Sequence, residues 1–94
     1  MSADQEMRRA FKVHGRVQGV GFRWWAQHEA RRLGLRGTVR NCRDGTVEIA
    51  LAGKPEVVDE MLVLLNEGPP GARVTELEEQ ESPDEVGDGF DISF

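Results

Sequence analysis

Residues 9–23 read Arg-Ala-Phe-Lys-Val-His-Gly-Arg-Val-Gln-Gly-Val-Gly-Phe-Arg, and two periodicities meet inside them. Phe11 and Val13 alternate with Ala10, Lys12 and His14. That period of two predicts a strand with Phe11 and Val13 turned inward. Gly15, Gly19 and Gly21 then break the alternation. Beyond them Phe22, Trp25, Ala26, Ala30 and Leu33 fall on one face of a helix, and Gly34 is its stop. Trp24 and His28 fall on the other face. The stretch is therefore a strand, a glycine-rich turn and a helix.

Downstream, residues 35–42 and 46–52 flank Arg43-Asp44-Gly45, and Asp-Gly is a strong hairpin signal. Gly53-Lys54-Pro55 resets the chain, with Pro55 suited to a first helical turn. Val57, Val58, Met61, Leu62 and Leu65 make a second helical stripe, ended by Gly68-Pro69-Pro70-Gly71. Val74 and Leu77 suggest a fourth strand, but their spacing is not a multiple of two, so a bulge is expected. Residues 81–89 are acidic, carry Pro83, Gly87 and Gly89, and read as a solvated loop. Phe90, Ile92 and Phe94 alternate as a short last strand. The order β-α-β-β-α-β plus a terminal strand predicts an α+β fold of the ferredoxin-like βαββαβ type, a sandwich with an antiparallel sheet and two helices on one face. Residues 1–8 are expected to be a flexible N-terminal tail and residues 9–94 the domain.

The bulk numbers narrow the function. Ninety-four residues suffice for one domain. The net charge of −5 argues against a nucleic-acid partner held by bulk attraction. No run approaches the ~18 apolar residues that span a membrane, and no signal peptide is visible in residues 1–7. Cys42, the only cysteine, can make neither an internal disulfide nor a zinc site alone. A cytoplasmic monomer with no membrane or nucleic-acid partner is expected.

The glycine-rich turn has two readings. It can be a tight turn and nothing more. It can also expose successive N–H groups to an anion, joined by the free N–H groups and dipole of the following helix. Arg23, in the first helical turn, can then clamp the same anion with its fork of donors. The turn lacks the Gly-Lys-Ser/Thr of a Walker loop, and its glycine spacing does not fit the dinucleotide fingerprint. Asn41 shares strand parity with Val39 and should face the helix-covered side, where its amide can hold a water. It can equally be a turn former before Asp44-Gly45. Trp24 is either an exposed aromatic or a wall for an organic group. His14, His28 and Glu29 read as surface or rim residues.

Gly15–Arg23 and the stretch from Gly37 to Glu48 (Gly-Thr-Val-Arg-Asn-Cys-Arg-Asp-Gly-Thr-Val-Glu) resemble the two signature stretches of the acylphosphatases. The resemblance runs from about Phe11 to Phe94 and includes Gly-Pro-Pro-Gly-Ala-Arg-Val at 68–74. It implies a hydrolase that converts a small-molecule acyl phosphate to a carboxylate and inorganic phosphate, with no metal and no organic cofactor. Inorganic phosphate or another anion would bind as product or competitor. The resemblance makes Arg23 the phosphate-binding arginine and Asn41 the residue that positions the water. It makes Gly15, Arg16, Val17, Gln18, Gly19, Val20 and Gly21 the phosphate-binding loop; on the second reading of Trp24, the group it walls is the acyl group. The chain departs from the family at Thr38, where tryptophan is frequent, and at Cys42, where threonine is common. Two other readings weighed on the residues are an anion-binding module without catalysis and an RNA-recognition domain. The second needs exposed sheet aromatics and a basic surface, whereas Phe11, Phe90 and Phe94 follow the core parity and the net charge is −5.

Overall fold

The structure, a computed structural model, describes residues 5–94, so the first four residues of the expected tail lie outside the described residues. The elements are β1 (Met7–Arg16), α1 (Phe22–Arg32), β2 (Arg36–Asn41), β3 (Val47–Gly53), α2 (Pro55–Glu67), β4 (Arg73–Gln80) and β5 (Phe90–Ile92). Met7 and Arg8, read as tail in the sequence, are already paired with Gly53 and Ala52 in the ladder.

The strands form one sheet in the order β4-β1-β3-β2-β5. Alternation places Phe11 and Val13 of β1, Val47, Ile49 and Leu51 of β3, and Val39 of β2 in a single core. Phe22, Ala26 and Ala30 of α1 and Val58, Met61 and Leu65 of α2 close that core from one side. α1 lies over β2 and β5, and α2 over β4, β1 and β3. This is the expected ferredoxin-like α+β sandwich. No helix among the described residues is long and apolar enough to cross a membrane.

The sheet differs from the expected antiparallel one at its last seam. β1–β3, β1–β4 and β2–β3 are antiparallel, but β5 pairs with β2 in parallel. The connection explains the direction. β4 and β5 lie on opposite edges of the sheet, so residues 81–89 must traverse its whole width. They cross the side away from the helices. Arg8 donates to the carbonyl of Asp84, and Arg36 donates to the carbonyls of Val86 (2.8 Å) and Gly87 (3.0 Å). The segment read as a solvated loop is thus a strap over one end of the open face. The rest of that face carries polar pairs, including the His14–Glu78 hydrogen bond at 2.8 Å and the Arg40–Glu48 ion pair at 2.8 Å.

Phe94 also departs from its parity. The β2–β5 ladder ends at Val39↔Ile92, with a last bond from Ser93 N–H to the Val39 carbonyl at 2.8 Å. Past that point no sheet remains to hold the alternation, and Phe94 is 99% exposed.

Candidate active site

The site begins where β1 stops being regular. Pairing with β4 shifts between His14, opposite Glu76, and Gly15, opposite Val74, leaving Thr75 as the extra residue. The bulge expected near Val74 and Leu77 is therefore in β4. At Gly15 the two backbones approach so closely that a Cβ would lie 2.0 Å from the Arg73 carbonyl oxygen. Only glycine fits there.

The chain then turns through residues 17–21 into α1. Gly21 is the N-cap residue, at φ 77° and ψ 21°, a left-handed conformation that disfavours any side chain. Its carbonyl accepts the first helical bond, from Trp25 N–H at 3.0 Å. The N-terminal amides of a helix have no acceptor within the helix, and a capping side chain or an acid in the first turn usually serves them. α1 has neither. Its open amides and the positive end of its dipole face the turn, a setting that favours an anion.

Val17, Gly19 and Gly21 from the turn, Phe22, Arg23 and Trp24 from the first helical turn, and Asn41 from the end of β2 line one cavity of about 100 Å³. Of the residues singled out in the sequence, Arg23, Asn41, Trp24, Val17, Gly19 and Gly21 thus meet at one place. Gly15, Arg16, Gln18 and Val20 are not part of that lining. Gly15 and Arg16 still belong to β1. Val17 turns its side chain into the core, leaving its backbone to the cavity. Val20 packs partly against that core. Trp24 is 73% exposed at the rim.

Gln18 plays a part that the sequence reading missed. Its Nε2 donates to the carbonyls of Cys42 and Thr46, both at 2.8 Å. Two carbonyl partners require the nitrogen side of the amide to face them. These carbonyls sit at the mouth of the β2–β3 hairpin, immediately past Asn41, and Cys42 N–H also donates to the Thr46 carbonyl at 2.8 Å. One amide thus ties the glycine-rich turn to the strand end that carries Asn41. Nothing local in the sequence names those partners.

The turn of the hairpin is fixed by Asp44. Its Oδ1 accepts from Thr46 Oγ1 at 2.6 Å and from Thr46 N–H at 3.0 Å, and Lys12 Nζ lies 3.3 Å from Oδ2. The hydrogen bonds from Thr46, then Lys12, hold the Asp44 carboxyl down at about 2. Phe94 was missed too. The Arg23 guanidinium carbon lies 5.2 Å from the centroid of its ring, a cation–π distance. Core parity had hidden that role. Outside the site, Glu29 pairs with Arg32 at 2.6 Å and His28 is exposed, as the rim and surface reading has it.

A known family carries this combination of sequence and fold. The acylphosphatase family model matches residues 9–92 of the chain. The chain belongs to the acylphosphatase family. Membership makes it a hydrolase acting on acyl phosphates. It is 46% identical over 88 residues to an acylphosphatase of Thermococcus kodakarensis, covering 94% of this chain and 97% of that one. Its structure is similar to that of an acylphosphatase from Coxiella burnetii, with a TM-score of 0.89 and 32% identity over 99% of this chain and 100% of the other. It is also similar to the crystal structure of acylphosphatase from Bacillus subtilis, with a TM-score of 0.85 and 34% identity over 96% and 100%.

Proposed function

We propose that this acylphosphatase binds the phosphoryl group of its substrate at the turn before α1 and hydrolyses it by in-line attack of a water, without metal or cofactor. The observation that carries the reading is the meeting of an uncapped helix start, Arg23 and Asn41 around one small cavity.

The chemistry asks for little more. An acyl phosphate is a mixed anhydride whose leaving group is a carboxylate, the base of an acid with a pKa near ~4. It departs without a proton, so no general acid is needed. Positioning and charge stabilisation remain. The amides of the turn and helix start hold phosphoryl oxygens, and the Arg23 fork binds two of them and neutralises their charge. The side-chain oxygen of Asn41 accepts a hydrogen bond from the attacking water and so aims the water oxygen at phosphorus. Trp24 lies at the rim, where it flanks the acyl group. The small cavity takes the phosphoryl group and leaves the acyl part outside.

The test is hydrolysis of benzoyl phosphate in the presence of a chelator, with Arg23→Ala and Asn41→Ala as variants. Each is expected to lower turnover by at least ~100-fold, the scale of removing one transition-state donor, with an unchanged far-UV spectrum. A folded wild-type protein that binds phosphate and turns over nothing would overturn the proposal in favour of a plain anion-binding module.

A further inference from the structure

A concavity larger than the cavity at the turn lies next to it and shares Asn41 with it. It is an open trough of about 560 Å³ on the far side of Asn41, bounded by Lys12, Arg40, Arg43 and Phe94. Asn41 lines both spaces, so an acyl group whose phosphoryl end sits at the turn can extend past Asn41 into the trough.

Its charges are unusual for this protein. The chain as a whole carries −5. The trough carries three cations, Lys12, Arg40 and Arg43, against two carboxylates, Asp44 and Glu48. Four of these five charges cancel in pairs. Lys12 meets Asp44 at 3.3 Å, and Arg40 meets Glu48 at 2.8 Å. Arg43 has no hydrogen-bond or ion-pair partner among the described residues. It follows Asn41 by two residues, a span of at most about 7 Å. One unmatched guanidinium thus stands beside the route of the acyl chain. With both carboxylates paired, the trough has a net charge of +1, which matches a monoanion better than a second phosphate dianion.

We infer that Arg43 is a specificity residue that receives a distal carboxylate on the acyl group, so that the enzyme favours acyl phosphates of dicarboxylic acids over neutral ones of the same length. The inference rests on the phosphoryl site proposed above. The planar fork of Arg43 can take such a carboxylate with two parallel hydrogen bonds. The trough is open to solvent, so the gain is modest, on the scale of exposed ion pairs.

Succinyl phosphate and butyryl phosphate have four-carbon acyl chains that differ in the terminal carboxylate, and the ratio of their kcat/KM values isolates its contribution. At low ionic strength the ratio is expected to favour succinyl phosphate about fivefold. It should fall to about one in Arg43→Gln, mainly through KM, and shrink in the wild type as salt screens the contact. Equal kcat/KM for the two substrates in the wild type overturns the inference and leaves the phosphoryl site standing. An Arg43→Gln variant that slows both substrates equally also overturns it, because the role of Arg43 is then structural. Turnover of neither substrate overturns the phosphoryl site and the inference together.

Discussion

Gln18 links two stretches of chain that are far apart in sequence, with bonds to carbonyls 24 and 28 residues away. Each carbonyl also accepts a backbone N–H, so losing the amide leaves neither without a partner. Gln18→Ala should therefore cost about 1–2 kcal/mol, the scale of two ordinary hydrogen bonds, measured by urea unfolding. The kinetic loss should be larger in proportion. An ångström of misplacement can cost ~100-fold, so kcat with benzoyl phosphate is expected to fall at least about 10-fold. Full activity in a destabilised Gln18→Ala would show that the tie does not position Asn41. The places of Arg23 and Asn41 in the fold were legible because the neighbours of each fix its element: a helix start for one, a hairpin end for the other. Gln18 was read only as a member of the turn, because a side chain's distant partner leaves no trace in local pattern. Phe94 was misplaced by a parity rule that holds only while a strand has a neighbour.

The β2–β3 turn gives a pH dependence with a definite sign. Asp44 has a folded pKa of about 2, below its ordinary value of 3.8, chiefly through its hydrogen bonds from Thr46. A carboxyl depressed on folding stabilises the protein above its unfolded pKa and loses that contribution as pH falls through the folded one. The wild type should therefore exceed Asp44→Asn in urea midpoint at pH 5, and the gap should close between about pH 4 and pH 2. A gap that stays constant over that range would assign the difference to packing. The seam between β1 and β4 makes a second prediction. Gly15→Ala pushes a methyl group into the backbone of β4 and should cost well over about 1 kcal/mol, read as a lowered Tm. At this scale the sequence was informative. The odd spacing of Val74 and Leu77 marked the bulge, and Asp-Gly marked the hairpin. The parallel pairing of β5 was not legible, since the alternation of Phe90 and Ile92 sets which face is buried and not which neighbour is chosen.

The molecule as a whole is small, and its stability should be about 5–14 kcal/mol at this length. Phe90 is buried to 1% exposure at the sheet edge, and its carbonyl accepts from Gln27 and Arg31 of α1, both at 3.1 Å. Phe90→Ala should cost about 3–5 kcal/mol, enough to leave part of the population unfolded at 37 °C. Calorimetry would check it, and a Tm drop of only a degree or two would mean that β5 contributes little. The strap over residues 81–89 was hidden at this scale because its anchors are backbone carbonyls, which every sequence has. It also divides the molecule by how readily its parts open. β5 has three residues and one neighbour in the sheet, while β1 and β3 are paired on both sides. Native-state hydrogen exchange should therefore release the Ser93 amide well before those of β1 and β3. When that edge peels away it carries Phe94 off Arg23 while β1, the turn and α1 stay folded. The floor of the proposed site thus adjoins the slowest-opening part of the protein and one side of its rim the fastest, so the phosphate grip proposed there can remain rigid while the way in and out is renewed.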